Sequence, residues 1–195
     1  MKNEIRIKKL IQTALLAALC FVSFTYLQIK IPVPGGDATS LHIGNAFCVL
    51  AALLLGGWYG GLAGAIGMTI ADIIDPVYIL VAPKTFVLKL CIGLIVGFIA
   101  HNIAKINDSN DKKYILKWSI IAAIGGLSFN VIADPVVGFF YKQYILGQPQ
   151  EVAAILAKLS ALTTLINAIV SVGIVTIIYS AIRPILIKAK LLLPV

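Results

Sequence analysis

The sequence predicts an all-α integral membrane protein, a bundle of six transmembrane helices with both termini in the cytoplasm. Three observations carry that prediction. Apolar residues make up 60% of the chain against 12% charged, and the mean hydropathy is +1.00, more than the surface of a 195-residue water-soluble globule accommodates. Six apolar stretches are each long enough, or nearly so, to cross a bilayer core that takes about 20 helical residues. The charges between them are distributed lopsidedly, which fixes an orientation.

The first span, 10–29, follows a basic leader containing Lys2, Arg6, Lys8 and Lys9. Basic residues before an apolar run, with a cysteine at Cys20, resemble a lipoprotein signal. Leu19 stands where a small residue should precede that cysteine, and apolar sequence continues to Ile29, so a permanent helix is expected. The second and third spans, 41–57 and 58–74, are short. Only the glycine-rich stretch Gly56-Gly57-Trp58-Tyr59-Gly60-Gly61 separates them, which predicts a tight helical hairpin. The fourth span, 83–104, opens on Pro83; the fifth covers 117–140 and the sixth 155–182. All six belong to a single membrane domain covering 1–195.

With the amino terminus inside, eleven basic residues fall on the cytoplasmic side: Lys2, Arg6, Lys8, Lys9, Lys105, Lys112, Lys113, Lys117, Arg183, Lys188 and Lys190. Five, Lys30, Lys84, Lys89, Lys142 and Lys158, fall outside. Lysine and arginine set membrane orientation, so both termini are expected in the cytoplasm of a multi-pass plasma-membrane protein. The net charge of +8 then needs no nucleic acid to explain it.

The outer loops are the unusual segments. Residues 30–40 form a proline-stiffened, glycine-hinged loop, whereas 75–84 and 139–149 are apolar and aromatic where water contact is expected. Irregular backbone at membrane depth is tolerated only where protein covers it or a cavity adjoins it, so these loops should roof a pocket. Tyr26, Tyr78, Phe86, Phe139, Tyr141 and Tyr144 supply aromatic surface at that face.

Ile70-Ala71-Asp72 and Ile132-Ala133-Asp134 echo one another, each at the outer, carboxyl-terminal end of a helix. A carboxylate there meets the negative end of the helix dipole and calls for a cation or donor. Lys84 and Lys89 are the nearest in chain order, so Asp72 or Asp75 either pairs with one of them to staple two helices or contacts a solute. Asn45, Asn130 and Asn167 each place one amide inside a span, suited equally to a heterocycle edge or to interhelical hydrogen bonding. Asn130 lies one turn before Asp134 and shares its face.

Small residues four apart, Gly60 with Gly64 and Gly93 with Gly97, predict close helix approach. Ala14 with Ala18 lies on the cytoplasmic half of the first span, where it serves bundle packing or a separate partner. Cys20, Cys48 and Cys91 read as apolar packing residues, and His42 with His101 forms no metal-ligand motif, so neither a metal nor a cofactor is expected. No phosphate-binding glycine loop, nucleophile elbow or zinc-protease motif occurs, which argues against an enzyme. Uphill transport would draw on an ion gradient or on other subunits.

The run 14–19, the loop Ile31-Pro32-Val33-Pro34 leading to Leu41-His42-Ile43-Gly44-Asn45-Ala46, the 51–64 hairpin, the Ala71-Asp72 close and the Ala82-Pro83-Lys84-Thr85-Phe86 restart resemble the substrate-binding S components of energy-coupling factor (ECF) vitamin transporters. The resemblance covers residues 10–182. It implies a six-helix subunit that captures a vitamin at the outer face and delivers it by tilting while docked on a transmembrane coupling subunit driven by two ATPases. It implies docking through Ala14 and Ala18. It also implies a solute held by the 35–42 region, which includes Asp37 and His42, and by Lys84, Asn130, Asp134 and Asn167.

Together with Asn45, Asp72 and Tyr78, these residues form the candidate binding set. An outer face of balanced charge with aromatic rings suits an uncharged or zwitterionic ring compound better than a polyphosphate. Vitamin B6 or a thiamine precursor is the first expectation, riboflavin the next. The competing class is a self-sufficient secondary transporter or channel, which would need a coupling carboxylate midway along a helix; the acids here cluster at outer helix ends.

Overall fold

A computed structural model describes residues 2–33 and 37–194. Among these residues, six α-helices and one two-stranded hairpin follow in chain order: α1 (Lys2–Tyr26), β1 (Gln28–Val33), β2 (Asp37–His42), α2 (Gly44–Leu55), α3 (Gly57–Ile74), α4 (Ala82–Gly97), α5 (Lys112–Phe140) and α6 (Gln150–Lys188). A 3-10 turn, Ile79–Val81, precedes α4. The carboxyl ends of α4 and α5 widen into π-helical turns at Phe98–Ile103 and Tyr141–Ile145.

Among the described residues, four segments are long and apolar enough to cross a membrane: Asn3–Tyr26, Ile79–Ile103, Lys112–Ile145 and Gln150–Lys188. Their outward faces carry bare aliphatic side chains, with Leu15 63%, Ile132 68%, Ile169 66% and Ile177 72% exposed. An apolar belt of that kind marks a surface solvated by lipid. The chain is a multi-pass membrane protein.

The second predicted span proves different in kind. α2 has only 12 residues, about 18 Å of helix at 1.5 Å per residue, too short to cross a core of about 30 Å without the β2 segment that leads into it. It touches each of the other five helices and buries all of its residues except Phe47. α2 is therefore the hub of the bundle, and Val49, Leu50 and Leu53 on it meet Ile92 and Val96 of α4 and Leu127 of α5 in one continuous core.

The turn joining α2 to α3 is a single residue, Gly56, whose φ of 87° lies in the left-handed region that side chains disfavour. α3 and α4 then pack backbone to backbone. A Cβ on Gly93 would sit 2.2 Å from Gly61 Cα, so no larger residue fits at that crossing.

The all-helical expectation fails at the first outer loop. α1 ends at Tyr26 rather than continuing to Ile29, and β1 pairs antiparallel with β2 from Gln28 opposite His42 to Val33 opposite Asp37. Ile29, Ile31 and Val33 alternate along β1 with the β-branched side chains that strands favour, and Pro32 is tolerated because a two-stranded ribbon has only edges. Hydropathy alone does not separate such a run from the end of a helix.

Candidate functional site

Because α2 starts low in the bundle, the space beyond its amino terminus is left unfilled. The hairpin closes over that space, and the ends of α3, α4, α5 and α6 wall it. The resulting cavity measures about 110 Å³. That is far more than the 10–15 Å³ or so that holds one water, and of the same order as the roughly 150 Å³ that accepts a benzene ring.

Eight of the nine candidate binding residues line this cavity: His42, Asn45, Asp72, Tyr78, Lys84, Asn130, Asp134 and Asn167. The side chain of the ninth, Asp37, lies outside the described residues. Helical spacing explains the convergence. Asn130 and Asp134 stand one turn apart on α5, as do Thr85 and Lys89 on α4.

At one wall, Lys84 Nζ donates to Asp134 Oδ1 at 2.9 Å. Ser160 donates to Asp134 Oδ2, and Thr164 approaches the same oxygen at 3.4 Å. The staple expected between Asp72 or Asp75 and a lysine of the fourth span takes another form. Asp75 pairs with Lys30 of β1, Lys84 is taken by Asp134, and Lys89 Nζ donates to Asn45 Oδ1 at 2.9 Å. Asp72, 1% exposed, keeps Oδ2 without a partner, and Asn130, 2% exposed, keeps Oδ1 without one.

Asn167 has a different task from the one its polarity suggests. Its Oδ1 accepts from the His42 backbone N–H at 3.0 Å, while its Nδ2 donates to the Ser40 carbonyl at 2.9 Å. Thr39 and Thr163 hydroxyls meet at 2.7 Å beside them. The amide thus fastens β2 to α6. At the opposite edge, Lys30 reaches Asp75 and lies 5.4 Å from the Tyr78 ring centroid. The hairpin is tied down on both strands.

The aromatic lining departs from expectation. Of the six aromatics, only Tyr78 reaches the cavity, whereas Tyr26 and Tyr144 are each 72% exposed. Tyr141 instead donates its hydroxyl to the Leu80 carbonyl at 2.9 Å, holding the turn before α4. Phe24 of α1 supplies the missing ring, packed edge-on to His42 at 4.6 Å between centroids. Nothing in its sequence setting separates Phe24 from other apolar residues of α1. Ser160, Thr163 and Thr164 were missed by the sequence reading, although with Asn167 they form a polar stripe at i, i+3, i+4 and i+7 along one face of an otherwise apolar helix.

Ala14 and Ala18 lie apart from the cavity, both exposed on one face of α1. Leu15 and Ile11, each 63% exposed, continue that face.

A bundle with an apolar outer belt, a short central helix and a polar chamber under a tethered hairpin defines a membrane protein built to hold a small solute. Residues 4–184 match the family described as ECF-type riboflavin transporter, S component, and the chain belongs to that family. S components are the substrate-binding subunits of vitamin transporters and are not enzymes. The fold is also that of ThiT from Listeria monocytogenes, with a TM-score of 0.66 over 97% of this chain and 99% of that one at 19% identity. A protein of Pyrococcus woesei described as an uncharacterized protein in gap 3'region is 36% identical over 77 residues. That stretch is 40% of this chain and 50% of the other.

Proposed function

We propose that this protein is the high-affinity vitamin-binding subunit of an ATP-driven ECF importer, a six-helix bundle in the plasma membrane with both termini in the cytoplasm. The hairpin faces outward, and the positive-inside distribution of lysine and arginine supports that orientation. Family membership carries the reading, and the lidded chamber gives it a place to act. Energy then comes from a transmembrane coupling subunit with two ATPases, docked on the Ala14 and Ala18 face of α1.

The ligand is a single-ring vitamin, of the B6 or thiamine-precursor type, held by His42, Asn45, Asp72, Tyr78, Lys84, Asn130 and Asp134, with Asp37 and Asn167 acting from the lid. A chamber of about 110 Å³ supports one ring with its substituents over a fused three-ring system. The family description favours a second reading, in which riboflavin is the ligand and the chamber widens around it.

Native mass spectrometry of the protein purified in mild detergent from cells grown on complete medium tests both. One retained vitamin is expected, at the mass of a B6 vitamer or thiamine precursor on the first reading and of riboflavin on the second. An empty protein that also ignores an added vitamin panel overturns both.

A further inference from the structure

The chamber holds two ion carriers that do not complete one another. Lys89, 7% exposed, has three N–H donors and one bonded acceptor, Asn45 Oδ1. No carboxylate of the described residues lies within ion-pair distance of it. Asp72, 1% exposed and lining the same chamber, keeps a buried oxygen without a donor, and so does Asn130. The other charged groups of the chamber are already engaged, Lys84 with Asp134 and Lys142 with a partner of its own. One buried cation short of acceptors and one buried anion short of donors are costly to maintain in an empty site.

We infer that the ligand itself completes this pair, accepting from Lys89 with an oxygen or ring nitrogen while donating an N–H or O–H to Asp72 and Asn130. Resting on the vitamin-binding reading, this makes Asp72 and Lys89 the specificity-determining residues of the site. The two charges sum to zero, so the ligand is net neutral, either uncharged or zwitterionic, with donor and acceptor groups on one side of its ring. A fixed cation meets Lys89 as a like charge. A phosphorylated compound brings more negative charge than one ammonium offsets.

The test is titration calorimetry of the detergent-purified full chain with pyridoxine, 4-amino-5-hydroxymethyl-2-methylpyrimidine, riboflavin, thiamine and pyridoxal 5'-phosphate. The wild type binds one of the three net-neutral compounds and rejects thiamine and the phosphate ester. Asp72→Asn and Lys89→Met each weaken that neutral ligand at least tenfold. Their charge selectivity moves in opposite directions: Lys89→Met gains relative affinity for thiamine, and Asp72→Asn gains it for pyridoxal 5'-phosphate. A purely structural role changes folding without this crossed shift. Thermal unfolding of each unliganded variant identifies any that fails to fold, and Lys89→Gln then replaces Lys89→Met, or Asp72→Ser replaces Asp72→Asn.

Neutral-ligand affinity within twofold of wild type in folded variants overturns the inference and leaves the vitamin-binding reading standing. So does a wild-type preference for thiamine or pyridoxal 5'-phosphate. Absence of binding to every compound overturns both.

Discussion

Lys84 of α4 and Asp134 of α5 join across the chamber wall at 2.9 Å, with only 11% and 17% of their side chains exposed. Asp134 also takes the Ser160 hydroxyl, so one carboxylate links three helices. Removing one member of a buried pair leaves the other uncompensated, at a cost of about 3 to 5 kcal/mol. Asp134→Ala therefore lowers thermal stability in detergent sharply, and Lys84→Met with Asp134→Leu together recovers part of the loss. A single variant as stable as wild type would mean that the pair does not hold these helices.

Asn130 bears on the ligand rather than on the frame. Asn130 lines the chamber and its buried Oδ1 has no partner, so Asn130→Ala removes no internal hydrogen bond made by that oxygen. Binding of the co-purified vitamin weakens by about 1 to 3 kcal/mol, as expected when a buried partner is left unmatched, while the unliganded melting temperature changes little. Calorimetry with unchanged affinity returns Asn130 to packing.

Asn167 governs the lid. Asn167→Ala cuts both amide bonds to β2, a loss of about 1 to 3 kcal/mol for two hydrogen bonds. The release rate of bound vitamin rises more than its capture rate falls, and amide exchange over 37–42 accelerates. Exchange at the wild-type rate would show the hairpin held by other contacts.

Ala14 and Ala18 test the docking face. Both are exposed and remote from the chamber, so Ala14→Trp or Ala18→Trp leaves vitamin binding intact and abolishes uptake by cells that express the complete transporter. Uptake at the wild-type level would remove that face from the coupling contact.

Much of this arrangement is written locally. The four long apolar runs, the glycine turn at Gly56 and the pairing of Asn130 with Asp134 follow from hydropathy and helical period, both of which act over a few residues. What escaped is set by contacts distant in sequence. Ile29, Ile31 and Val33 read as helix or strand until β2 lies beside them, and β2 stays in place through Asn167, over 120 residues further on. Lys84 had two aspartates in reach along the chain, and only the position of α5 selects Asp134. Phe24 became a wall of the chamber because His42 packs against it, which its own neighbours in sequence do not encode.

The brevity of α2 reaches beyond this one cavity. The chamber is the volume that a full-length central helix would otherwise fill, so its depth is set by where that helix begins. Adding or deleting one turn at the start of α2 would resize the vault by about 5 Å along the bundle axis. The lipid-facing walls would stay as they are, leaving cargo preference free to diverge while the exterior remains interchangeable.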